Sequence, residues 1–256
     1  MLRAVLAEFG ELFSDRPSRL RVSGLVLVLA SVPLLEMLAI RLFSGMVTDP
    51  RLLTESRTAL VLQAGGFFAA LAGTRGAHHA ARILRPRVFE AAFSRLRATR
   101  SRHQESWAYA QAFEVSGVLA GLVQAASFVA VIAVFDPATG AVALTVGAVV
   151  LLAMSRTYSA QVAAQERFVS TSWTAEAVGV PDQVGQRVRA AEIGSILATV
   201  GLAVALAFLL VQVVDAAVDT ATAIMMFLGL RLMFGQLGTV SASAMRFARA
   251  TVRVKS

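Results

Sequence analysis

Cysteine is absent from this 256-residue chain. That excludes disulfides and thiolate metal sites, and it leaves the redox compartment open, because cysteine-free chains occur everywhere. Lysine is almost absent: of 24 basic residues only Lys255 is a lysine. A phosphate-binding loop of the form G-x-x-x-x-G-K-[ST] needs a lysine within the chain, so none can be written here. Charge is also scarce, at 16% against the ~25% of a soluble domain. Histidine is limited to three residues. His78 and His79 are adjacent and would point about 100° apart on a helix, and His103 stands alone in a polar stretch, so no metal site is expected. No Ser-His-Asp or paired-carboxylate arrangement can be assembled, and the chain is expected to be neither an enzyme nor the holder of a cofactor.

What is present is apolar. Hydrophobic residues make up 57% of the chain and the mean hydropathy is +0.68. This composition describes a polytopic membrane protein. The first long run, Gly24 to Leu42, can cross a bilayer, yet it contains Glu36 and then Arg41. A carboxylate inside a span costs roughly 2.5–3.5 kcal/mol on insertion scales, so it faces protein or a wet cavity. The other uncharged windows run from Thr58 to Thr74, Val115 to Phe135, Pro137 to Ser155 and Ile193 to Val214. A last span begins after Asp219, crosses Arg231 and continues toward Ala244. Asp136-Pro137 and Gly140 make a tight hairpin between the third and fourth spans.

The basic balance, +8 overall, is a matter of orientation rather than of nucleic-acid binding. With six spans, nineteen basic residues fall on the side of the termini and only Arg51 and Arg57 on the other. Both termini are therefore expected in the cytoplasm. Residues 1–20 read as an amphipathic helix on the membrane surface, with Leu2, Val5, Leu6, Phe9, Leu12 and Phe13 on one side, ended by Asp15-Arg16-Pro17. Its acidic residues argue against a cleavable signal peptide. The second span is expected to run on past a kink at Pro86, and the fourth through Tyr158, Val162 and Phe168. Thr99–Glu105 and Gly179–Gly185 read as the two inner turns.

The fold class expected is thus an all-α membrane protein of six transmembrane helices, with an interfacial elbow helix over 1–20 and the membrane domain over 21–256. That layout resembles the transmembrane domain of ABC exporters. Ser31–Val47 (SVPLLEMLAIRLFSGMV) resembles the end of an exporter first helix. Phe135–Arg156 is similar to the third-to-fourth hairpin of type I secretion exporters, and Phe234–Val254 to a sixth helix leaving the membrane. The resemblance implies a bacterial inner-membrane permease subunit. It would act as a homo- or heterodimer whose members swap their fourth and fifth helices, with a nucleotide-binding partner supplying ATP-Mg. It also implies that Arg100, Arg102, His103, Pro181 and Asp182, in the inner turns, couple to that partner. The inner arms are short for such coupling, at under ~30 Å each. The alternative is an ATPase-free member of the fold, either an ion-driven transporter or an accessory subunit of a larger membrane complex.

Glu36 and Arg231 are the sharpest candidates. They lie 13 residues before Asp49 and 12 after Asp219, so both sit roughly 18–20 Å from the outer turns at 1.5 Å per residue. Two readings are equally open: contact with a polar substrate in a central cavity, or a structural ion pair. A proton-relay role for Glu36 is a third. Gln63 and Gln212, polar within spans, are candidates for the same cavity or for bonds between helices, as is Gln124. The arginine-rich inner turn reads as a retention signal in contact with anionic lipid.

Overall fold

The computed structural model describes residues 1–13, 15–48, 57–93, 102–171 and 178–255. Among these the regular structure is all helix, in the order α1 (Leu2–Leu12), α2 (Arg16–Thr48), α3 (Arg57–Phe93), α4 (Arg102–Phe135), α5 (Pro137–Ser170), α6 (Val180–Val214) and α7 (Thr220–Lys255). Five of them, α2, α4, α5, α6 and α7, are long and apolar enough to cross a membrane. This architecture is that of an integral membrane protein. The sixth long helix, α3, matches them in length at 37 residues. Gln63 and two adjacent glycines dilute its uncharged window, and it does not reach the same apolarity.

Local chemistry sets the helix ends. The Asp15 carboxylate accepts from Ser18 N–H at 3.3 Å and from Ser18 Oγ at 2.9 Å, which starts α2. Arg19 reaches back, donating from Nε to Phe13 O at 2.6 Å and from its terminal nitrogen to Gly10 O at 3.0 Å, satisfying carbonyls at the end of α1. The elbow therefore ends at Leu12, and Arg16 to Leu20 already belong to α2. Asp136 caps α5, accepting from the N–H groups of Ala138 and Thr139, with Pro137 at the first helical position.

Part of each expected inner turn is helical. Arg102–Glu105 form the start of α4 rather than a turn. Gly179 is the N-cap of α6, so Val180, Pro181, Asp182 and Gly185 lie inside that helix. The expected continuations hold: α3 is unbroken through Pro86 and α5 through Phe168.

Contacts between helices give the layout. Gly45 faces Gln63, Gly66 faces Leu42 and Gly73 faces Leu35, so α2 and α3 run antiparallel along their length. Helix α7 lies at the centre, packed on α2, α4, α5 and α6, whereas α3 packs mainly on α2 and meets α1 and α4 through Phe89 and Arg85. Helices α5 and α6 pack on α7 of this same chain. They do not leave the bundle as the resemblance implies. Elbow α1 docks on α4, burying Val5, Leu12 and Phe13 with Phe89. Ala4 and Glu8 of α1 share a cavity with Thr251 and Val252 of α7, so both ends of the chain lie at one end of the bundle. Leu27, Leu144, Leu152, Ile196 and Leu210 are exposed around it, an apolar surface suited to lipid.

Candidate functional site: a charged cavity beside α7

Residues of α2, α3 and α7 enclose an open cavity of about 630 Å³. Most of its lining is apolar, including Ile40, Phe43, Phe67, Leu71, Ile224 and Leu228. Glu36 and Arg231 supply its two charges, of opposite sign. Helix register brings them to one level. Gly229 packs on Met37, and Ser44 Oγ donates to Ala221 O at 3.2 Å. On this antiparallel register position 36 stands opposite 229 to 230, within about two residues of Arg231, or ~3 Å along the axis.

Glu36 is half-buried and Arg231 exposed on the cavity side of α7. Among the described residues they form no ion pair with each other or with any other group. The group that acts on Glu36 through space is His78 of α3, a residue the sequence singles out only as a poor metal ligand. Its adjacency to a membrane-depth carboxylate becomes visible only once α3 is laid along α2.

The two glutamines lie elsewhere. Gln63 packs across the α2–α3 seam against Gly45, with its Oε1 buried and without a hydrogen-bond partner among the described residues. Gln212 lies in the last turn of α6 and hydrogen-bonds Asp136 at the α4–α5 corner. Neither lines the cavity. Gln124, by contrast, is a helix-to-helix bond: its Nε2 donates to Leu29 O at 2.6 Å. At the other end, Pro181 and Asp182 are exposed in the first turn of α6. Arg100 and the side chains of Arg102 and His103 fall outside the described residues.

Arg231 also borders a smaller cavity of about 240 Å³ against α6, with Ser195, Thr199, Gly235 and Gly238. It therefore stands on the ridge between two recesses. At the end of the bundle away from the termini Arg41 lies over Phe135 at 5.9 Å and acts electrostatically on Asp219. An open, mostly apolar chamber with one charge of each sign can hold an amphiphilic molecule through its polar end. Among the described residues no cluster of metal-ligating side chains is present. No protein-family model and no curated protein matches this chain.

Proposed function

We propose that the chain is the membrane-spanning subunit of an ABC-exporter-like transporter, working as a dimer with ATP hydrolysis on a separate chain. In this reading α3 is the sixth span. It runs antiparallel to α2 over most of its length, between α2 and α4, which are both apolar enough to cross, so it bridges the two faces they require. Six crossings place both termini on one side, and the arginine excess makes that side cytoplasmic. The enclosing membrane is then a bacterial inner membrane. The observation that carries the reading is the pair of unneutralised charges, Glu36 and Arg231, at one depth in one cavity. Alternating access would come from rocking of the α2–α3 hairpin against α7, since α3 packs mainly on α2.

A second reading rests on two observations. Helices of 33 to 37 residues rise about 50–55 Å, so they extend only ~20–25 Å beyond a 30 Å hydrocarbon core. Helices α5 and α6 also stay within their own bundle. Both favour an ATPase-free member of the same layout, ion-driven or accessory to a larger complex. Copurification from mild detergent separates the two. An ATPase at equal stoichiometry supports the first; a different membrane complex, or the chain alone, supports the second.

A further inference from the structure

The Glu36–Arg231 chamber has a polarity along its axis. Helices α2 and α7 run antiparallel, so residues after Glu36 and residues before Arg231 advance toward the same end. Phe43 and Ile224 lie seven residues along from the two charges, with Ile40 and Leu228 between. At 1.5 Å per residue that apolar section is roughly 10 Å long. Helix α3 closes its side. Gly73 faces Leu35 and Gly66 faces Leu42, which sets Leu71 near the level of the charges and Phe67 further along. The Phe67 ring meets that of Phe43 at 5.7 Å between centroids, so two aromatic rings wall the far end. The chamber therefore carries both of its charges at one end and only apolar side chains beyond them.

Such a chamber discriminates by charge. Neither Glu36 nor Arg231 has an ion-pair or hydrogen-bond partner among the described residues. His78 acts on Glu36 through space but lies outside the lining. A cation alone would leave Arg231 unmatched, an anion alone would leave Glu36 unmatched, and a neutral molecule would leave both. An unmatched charge in a low-dielectric surround is costly. A head that bears one ammonium and one carboxylate or phosphate matches both through charge-assisted hydrogen bonds. Sites built to pair a polar group reject the analogue that lacks it more strongly than apolar pockets reject a missing methylene. The volume of about 630 Å³ is that of a small-molecule site.

We propose that this chamber binds a zwitterionic amphiphile, its ammonium on Glu36, its anionic group on Arg231, and an apolar body of roughly 10 Å against Phe43 and Phe67. The head can belong to a soluble amino acid with a long side chain or to a lipid. This names the substrate class of the proposed transport cavity and rests on that reading of the chamber.

The test is calorimetric titration of the full chain in dodecyl maltoside, an uncharged detergent, with micelles alone as the blank. The probes are 2-aminooctanoate, which is zwitterionic, octanoate, octylammonium and neutral octanol. One molecule of 2-aminooctanoate per chain is expected, at least tenfold tighter than octanoate or octylammonium, with octanol weakest. Glu36→Gln closes the gap to octanoate and keeps the gap to octylammonium; Arg231→Gln does the reverse. Adding phosphatidylethanolamine to the micelles identifies the source. Competition assigns the site to a lipid headgroup, and its absence assigns it to soluble zwitterions; both support the site. Equal affinity for the zwitterion and either singly charged probe, or no saturable binding, overturns the proposal. That comparison uses the unaltered chain, so it stands even if a substitution prevents folding. The measurement needs no ATPase, so the two readings fail separately. Zwitterion preference in a chain that copurifies with no ATPase sinks only the ABC reading, and an ATPase partner without that preference sinks only this one.

Discussion

On the flank that α7 turns toward α5 and α6, small residues draw the helices together. A Cβ at Gly201 would stand 2.7 Å from Phe234 and 3.0 Å from Val146, and one at Gly194 would overlap the Ser241 side chain. On the flank toward α2 and α3, large side chains and two charges hold a chamber of about 630 Å³ open. One helix is thus closely packed on one side, apart from the small recess beside Gly235, and spaced on the other. In lipid, where apolar surface gains little by hiding from other apolar surface, close backbone approach is a main source of helix association. Toward α2 that approach is kept at Gly229 and at Ser44 and lapses beside α3, where the unneutralised Glu36 and Arg231 mark a candidate binding site.

Breaking the closely packed flank has the largest expected effect. Gly201→Leu forces a full side chain into Phe234 and Val146 and is expected to destabilise by about 3 kcal/mol, near the top of the usual range for overpacking. Thermal unfolding in detergent should show a lower midpoint or a lost folded fraction. Gly235 sharpens the contrast, because a Cβ there meets nothing within 4 Å. Gly235→Ala should leave the midpoint unchanged or raise it, by up to about 1 kcal/mol of helix propensity.

Next comes the tie that holds the outlying helix α3. Arg85 donates to Phe113 O at 2.8 Å and Ser116 Oγ at 2.9 Å, and lies 3.5 Å over the Phe113 ring. Phe89, which meets Tyr109 edge-on at 5.8 Å, adds to the α3–α4 contact. Arg85→Ala should cost about 2 kcal/mol, the scale of a hydrogen-bonded charge with a ring contact. Proteolysis or hydrogen exchange should show the loss in α3 before the rest of the bundle.

A smaller effect is expected at the α4–α5 corner. Burial pushes the Asp136 carboxyl up, but hydrogen bonds from Thr139, Ala138 and Gln212 outweigh it and hold it below 3.8. The sign follows: a depressed folded value adds stability above the unfolded pKa and loses it as pH falls through the folded one. Asp136→Ala should cost about 1 kcal/mol at neutral pH. The gap between variant and wild type should close in acid titration below pH 3.8.

The smallest stability change belongs to the open flank. Arg231→Leu removes an exposed, unpaired cation, so the midpoint should move by less than about 0.5 kcal/mol or rise. Transport, on the proposed function, should be lost. A large destabilisation would instead give Arg231 a structural role.

What the sequence disclosed follows from what counting residues can measure. Distance along a helix is countable, so the common depth of Glu36 and Arg231 was legible from their spacing to Asp49 and Asp219. Rotation about the axis was not. Helix α6 is apolar on every face, and nothing in its pattern tells that Gln212 points to Asp136 rather than inward. For Gln63 the pattern left open a cavity or a contact between helices, because its glycine partner lies on another helix. Gly179–Gly185 looked like a turn because glycine and proline punctuate loops, but Pro181 in a first helical turn begins a helix as readily. The recess that Glu8 shares with Tyr158 and Thr251 was invisible because it forms only where three helices meet.

The central claim is that Glu36 and Arg231 face a wet chamber and not lipid or packed protein. The chain has no cysteine, so a single introduced thiol reports alone. Glu36→Cys, Arg231→Cys and Leu228→Cys should react with a membrane-impermeant, charged maleimide in proteoliposomes, while Leu152→Cys, exposed on the outer face of α5, should not. Equal protection at all four positions would contradict the account.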